Sequence, residues 1–252
     1  MNRAASPVAA VAAMTAVELR LVLRRGENLF ATIVIPAIVL VLFSSVSIVP
    51  TGTGRPVDFL LPGSIALGII ATSLVSLGIT TAYDRSYGVL KRLGGSPLSR
   101  GELVAARVLT VLVVEAVQVV LLVGTASLAL GWRPSEGASP VLAIVAVLLG
   151  TAAFAGLGLL LAGTLRAETV LALANVLFLG FLVVGGVIVP VSALPGPLAA
   201  IAAALPAAPL SAVLRAALGG SAASADVAGS LVLLAGWAVV TLGAASRTFR
   251  WE

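Results

Sequence analysis

Apolar residues in this chain neither alternate nor recur mainly along one helical stripe. They come in long runs separated by short polar, Gly or Pro breaks. Six runs, at 29–49, 59–82, 108–130, 141–165, 169–189 and 227–245, each exceed the length of about 18 residues at which an apolar stretch reads as a membrane-spanning helix. A backbone in lipid must satisfy its own hydrogen bonds, and the period of two that marks a strand is missing, so the runs predict helices. The expected fold class is an all-α polytopic membrane protein, one transmembrane domain over 1–252.

Two stretches fit this pattern less well. Residues 1–28 begin with an alanine-rich run after Arg3, but the heavier charge (Arg20, Arg24, Arg25) follows that run and opposes export as a signal. The segment predicts a helix lying on the inner membrane face. The segment 194–220 is long enough to cross, yet it holds Pro206, Pro209 and Arg215 and is rich in alanine. Broken helices that dip into the outer leaflet and return, shielded by neighbouring protein, are the expectation, with Ser221 outside and Arg250 inside.

Composition sharpens the class. The chain has 252 residues, 60% hydrophobic and 10% charged, against about 25% charged for ordinary soluble domains, and a mean hydropathy of +1.18. There is no Cys and no His, which removes thiol nucleophiles, imidazole catalysis and Cys/His metal sites. The one lysine, Lys91, stands between Leu90 and Arg92, so it cannot complete a phosphate-binding loop ending in Gly-Lys-Ser/Thr. The net charge of +5 reflects topology rather than nucleic-acid binding. With the N-terminus inside, twelve of the fifteen basic residues fall on the inner side, and only Arg55, Arg133 and Arg215 fall outside. That asymmetry predicts an N-in, C-in arrangement.

The longest polar feature is the inner loop 83–107. In it, Leu90 and Leu93 stand three apart beside Lys91 and Arg92, the pattern of a short helix with an apolar edge, stopped by Gly94-Gly95. Composition alone allows a solvated, positively charged loop; the alternative is a docking element for a cytoplasmic partner. The order Arg85, Gly88, Leu90-Lys91-Arg92-Leu93 and Ser96-Pro97-Leu98-Ser99-Arg100 resembles the inner loop of type-2 ABC exporter permeases, among them drug-efflux subunits of the daunorubicin type. That loop reads Arg-Glu-x-Gly, a basic-apolar stretch, then Thr/Ser-Pro-Leu. Phe59-Leu60-Leu61-Pro62-Gly63 is similar to the family's Leu-x-Pro-Gly, and Leu194-Pro195, Pro206, Pro209 and Leu214-Arg215 to its stretch before the last helix. The chain departs from the family at Ser86, where the Glu belongs; Asp84, on the other side of Arg85, is the expected substitute.

The resemblance implies the permease subunit of an ATP-driven exporter for a hydrophobic or amphipathic small molecule, a drug or antibiotic, in a bacterial inner membrane. It implies a separate cytoplasmic P-loop ATPase that binds ATP and Mg, and a second copy or a similar permease, as a homo- or heterodimer. The chain itself is expected to bind no cofactor and no metal. The coupling residues would be Arg85, Gly88, Leu90, Lys91, Arg92, Leu93, Pro97, Leu98 and Arg100. Export of a lipid-linked glycan by a related permease is one alternative.

Within the spans, Ser64, Gly68, Thr72, Ser76 and Thr80 recur every four residues. Such a row serves either as a packing seam or as part of a substrate path; on a regular helix it drifts by about 40° per step. Glu115 and Gln118 stand three apart in the third run. Ionisable groups at such depth usually face the bundle interior, so Glu115 is a candidate for the path, for proton coupling in a secondary transporter, or for an ion pair with Arg107. Asn175 is a weaker candidate of the same kind. Ala152, Gly156, Gly158 and Ala162 form small-x-x-x-small pairs, which predict close helix packing.

Overall fold

The computed structural model describes residues 6–24, 26–45, 55–95, 99–219 and 226–248, side chains of 26–33 and 100 excepted. All regular structure among them is helical: α1 (Pro7–Arg24), α2 (Gly26–Ser45), α3 (Pro56–Ile69), a π-helical stretch (Ile70–Ser76), α4 (Leu77–Ser86), α5 (Val89–Gly94), α6 (Arg100–Ala129), α7 (Pro140–Thr164), α8 (Ala167–Val184), a 3-10 turn (Val191–Ala193), α9 (Gly196–Ala204), α10 (Ala207–Ala217) and α11 (Val227–Thr248). Five continuous described helices are long and apolar enough to cross a membrane, the first of them running through the π-helical stretch from Pro56 to Ser86. The first expected span is helical from Gly26 to Ser45, and 46–49 lie outside the described residues. The chain is an all-α polytopic membrane protein.

Local chemistry sets the helix ends. Pro56 and Pro140 open α3 and α7, where a missing N–H costs nothing. Ser139 Oγ accepts from the amide of Leu142 at 3.3 Å, and Asp226 Oδ1 accepts from Gly229 at 2.8 Å. The helix expected to start at 108 starts at Arg100 instead, inside the expected loop. Ser99 and Glu102 form a reciprocal capping box, with the Ser99 amide donating to Glu102 at 2.6 Å and the Glu102 amide to Ser99 at 3.3 Å. The Ser-x-x-Glu signal was present in the sequence and outweighs the polar composition around it.

Helix α7 is the centre of the bundle, packed on α11, α4, the π-helical stretch and α10. Water does not drive helices together inside lipid, so close contact of small residues has to do so. A Cβ at Gly158 would stand 2.9 Å from the carbonyl oxygens of Ser73 and Leu74, and one at Gly156 would overlap Thr241. Thr241 completes that contact by donating its hydroxyl to the Ala153 carbonyl at 3.0 Å. The small-residue pattern of this span is therefore a two-sided packing surface. Around it lies an apolar core that includes Leu61, Ile70, Leu74, Phe154 and Leu210, all fully buried.

The segment expected to dip and return, described to residue 219, does not run as one straight helix. Helices α9 and α10 meet at 78°, with Leu205 and Pro206 at the bend. Helix α10 climbs back to the junction of α6 and α7, where the Ser139 amide donates to the Ala217 carbonyl at 2.7 Å. Gly156 of α7 meets Thr241 of α11 at matching depth, so α11 starts from the end at which α7 starts. Arg55, just before α3, binds the carbonyls of Leu130 and Gly131 at 2.7 and 3.2 Å at that same end. At the opposite end, Leu90, Leu103, Leu159 and Ala245 share one cluster, with Met14 of α1 packed against it. The helix nearest the N-terminus and the end of α11 thus lie on one face of the bundle, where most of the positive charge is.

Arg215, counted among outer charges, is not solvated. Its guanidinium lies 4.0 Å above the Phe59 ring and donates to the Gly186 carbonyl. Ser221 and Arg250 lie outside the described residues, but exposed Asp226 and Ser246 flank α11 and report the same topology. In a chain without native Cys, Asp226→Cys is expected to react with an impermeant maleimide in intact spheroplasts, and Ser246→Cys only after permeabilisation. Protection of Asp226→Cys would mean that α9–α10 spans.

Candidate functional site

At the end where α4, α5 and α6 meet, Gly88 takes a left-handed backbone (φ 71°) and turns the chain from α4 into α5. Leu90 then points inward and is fully buried, and Leu93 packs on the same cluster. The expected docking edge is therefore not free at Leu90, which anchors α5 beside Leu103 and Leu159, while Leu93 is half-buried and also lines the cavity described below. The face turned outward carries Tyr87, Val89, Lys91 and Arg92, with Tyr87 73% exposed. Tyr87 also stacks on Tyr83, ring centroids 5.9 Å apart. Sequence reasoning missed Tyr87 and Val89, because a helix of one and a half turns gives too little periodicity to tell its faces apart. Pro97 and Leu98 lie outside the described residues, as does the Arg100 side chain.

Arg85 and Asp84 do not pair with each other. Arg85 donates to the Leu165 carbonyl at the end of α7, which frees it from any need for the family's Glu. Asp84 instead accepts from Arg107 Nη2 at 2.5 Å, and Thr81 Oγ1 accepts from Arg107 Nη1 at 2.6 Å. Glu18 of α1 approaches Arg107 Nε to 3.5 Å. The Arg107 side chain is only 3% exposed, so this cluster joins α1, α4 and α6 through one buried guanidinium. The sequence pointed to Arg107 as an inner-side charge and a partner for Glu115, because no local spacing links residues 18, 84 and 107.

Deeper in the bundle, Glu115 does not reach Arg107. One carboxylate oxygen accepts from Ser73 Oγ at 2.6 Å and the other from Thr151, with Glu115 fully buried. This ties α6 to the π-helical stretch and to α7. Gln118 is 2% exposed, and its amide lies where a Cβ at Gly68 would be. Gly68 thus belongs to a packing seam.

The rest of the four-residue row is split in use. Ser64 is buried at 2% exposure. Thr72, Ser76 and Thr80 line a cavity of about 280 Å³ enclosed by α1, α4, α5 and α6, with Asp84 and Arg107 also in its wall. Ser76 and Thr80 also line a groove of about 470 Å³ between α2, α4 and α8, across from Asn175. Asn175 is exposed there and donates to the Leu171 carbonyl at 2.7 Å. The two hollows are therefore separated only by the helix wall at Ser76 and Thr80. Among the described residues no group of acidic side chains could hold a metal ion.

Glu115 makes the sharpest test of these roles. Glu115→Leu leaves the buried Ser73 hydroxyl without its acceptor, while Thr151 keeps the Val147 carbonyl; at a cost of about 1–3 kcal/mol it is expected to lower the thermal midpoint in detergent. Glu115→Gln keeps an acceptor and the same shape, and is expected to leave transport per folded molecule unchanged. A selective loss of transport in Glu115→Gln would return the carboxylate to the path.

These features agree with what the chain is similar to. The ABC-2 type transporter family matches residues 9–218, a stretch that takes in the α1 contact, the outward face of α5, both hollows and the returning helix pair. No curated protein matches the chain. With this much of its length accounted for by one family, the chain belongs to the ABC-2 type transporters and is the membrane-spanning permease of an ABC transporter.

Proposed function

We propose that this permease exports a hydrophobic or amphipathic small molecule, a drug or antibiotic, from a bacterial cell across the inner membrane. Hydrolysis would come from a separate cytoplasmic P-loop ATPase that binds ATP and Mg. The observation that carries this reading is the construction of α5. Leu90 fixes the helix to the α6–α7 core from inside, while Tyr87, Val89, Lys91 and Arg92 face outward at the positively charged end. A push on that face is transmitted to α6 and α7 through packed leucines, since close-packed interiors carry displacement rather than absorb it. Arg85, Gly88, Pro97, Leu98 and Arg100 complete the proposed coupling loop.

The groove between α2 and α8 supports a second permease copy. Asn175 and Ser76 are exposed in it, in helices that otherwise show lipid apolar side chains, and polar groups in lipid are unfavourable. A second copy of the same face would cover them and enclose a mostly apolar path with Ser76, Thr80 and Asn175 as its polar points. A proton-driven transporter using Glu115 is less well supported: both of its oxygens are bonded to hydroxyls, and it lines neither hollow.

Two measurements test this reading. The purified chain is expected to show no ATP turnover alone and to gain it with the partner ATPase. Reversing the exposed charges (Lys91→Glu with Arg92→Glu) is expected to reduce co-purification of that ATPase about tenfold or more while leaving the thermal midpoint within a few degrees. Undiminished co-purification would remove α5 as the docking face. Separately, Asn175→Cys is expected to give an oxidant-dependent covalent dimer in membranes, and a persistent monomer would place the second subunit elsewhere.

A further inference from the structure

Thr72 carries an unusual hydroxyl. Threonines in membrane helices ordinarily bond their hydroxyl to the carbonyl one turn back, as Thr110 does to Ala106 at 2.9 Å and Thr248 to Ala244 at 2.8 Å. Thr72 lies inside the π-helical stretch, where i→i+5 bonding shifts the carbonyl register. Its hydroxyl has no partner, although the residue is only 5% exposed. Such an orphan is unfavourable and calls for an occupant.

That hydroxyl is at the wall of the 280 Å³ cavity beneath α1. From Thr72 to Asp84 the wall spans twelve helical steps, about 18 Å. Its middle is apolar, formed by Leu77, Val111 and Val114, and its far end holds the Arg107–Asp84 pair. The volume is near the lower end of small-molecule sites, which run about 300–1,000 Å³, and is too small for a two-chain lipid. Ser76 and Thr80, shared with the groove facing α8, give the cavity a common wall with the proposed path.

We propose that this cavity is a binding site for a compact, uncharged amphiphile, held by an apolar body between α4 and α6 and by one hydrogen bond to the Thr72 hydroxyl. It would be the intake site on the inner-leaflet side, from which cargo passes over Ser76 and Thr80 into the groove. The π-helical stretch carries the hydroxyl that makes the site. The intake role rests on the exporter reading; binding itself does not.

The experiment therefore uses the permease alone, in phosphatidylcholine nanodiscs without an ATPase, and a diazirine-bearing octanol as the probe. Photolysis and peptide mapping are expected to place label on Val111 and Val114 well above the exposed reference residues Val120 and Val239, with plain octanol displacing it. Thr72→Val, which keeps shape and removes the hydroxyl, is expected to reduce that label about fivefold, the worth of one neutral hydrogen bond, and Thr72→Ser to retain it. Should Thr72→Val fail to fold, Val114→Phe fills the cavity and is expected to abolish label at Val111. Label no higher at Val111 and Val114 than at the references, or unmoved by Thr72→Val and Val114→Phe, overturns the proposal. Label as expected, with no ATPase ever associating, overturns the exporter reading and leaves the site.

Discussion

The structure depends on how closely α7 can be approached. On one side Gly158 admits the backbone of the π-helical stretch, and on the other Gly156 admits α11. In lipid, with no water to expel, such contacts draw on dispersion and on hydrogen bonds that exist only at short range. Both kinds converge here. The Thr241 hydroxyl reaches the Ala153 carbonyl, and Glu115 of α6 receives Ser73 from the π-helical stretch and Thr151 from α7 itself. A larger side chain at Gly158 would push Ser73 away from Glu115, and one at Gly156 would push Thr241 away from the Ala153 carbonyl.

The π-helical stretch follows from the same crowding. It occupies the part of the 56–86 helix that Gly158 touches, and it reassigns the polar side chains around it. Ser73 turns to Glu115, Thr72 to the inner cavity, and Ser76 to both hollows. One irregularity thus divides a single row of small polar residues between holding the bundle together and lining its hollows. Such stretches are often found at functional sites for this reason.

Most of the fold was legible in the sequence because lipid enforces simple rules. Run length gave the helices, Pro206 gave the break between α9 and α10, and the small-residue spacing in 141–165 gave the packing surface. The start of α6 was legible too, in Ser99 and Glu102, but was obscured by the charges beside it. What could not be read was anything that depends on pairing between helices. The contact of Arg107 with Asp84 and Glu18 joins three distant segments. The inward turn of Leu90 depends on where α6 and α7 lie, and the π register on how closely α7 approaches. Local sequence carries none of that information.

The returning pair also carries information about how the protein is made. Its bend leaves the Ala204 carbonyl to be satisfied by the Trp237 indole N–H at 2.9 Å, and Trp237 lies near the middle of α11, the last helix. The other end of the pair relies on the Ser139 amide, already in place once α7 has inserted. During synthesis the pair therefore leaves the ribosome before its deepest hydrogen bond has a partner. The Ala204 carbonyl is satisfied only once α11 has packed, so this part of the bundle is completed by the docking of α11 on α9. The indole of Trp237 thus works as a clasp between two helices that neither sequence adjacency nor a shared loop holds together.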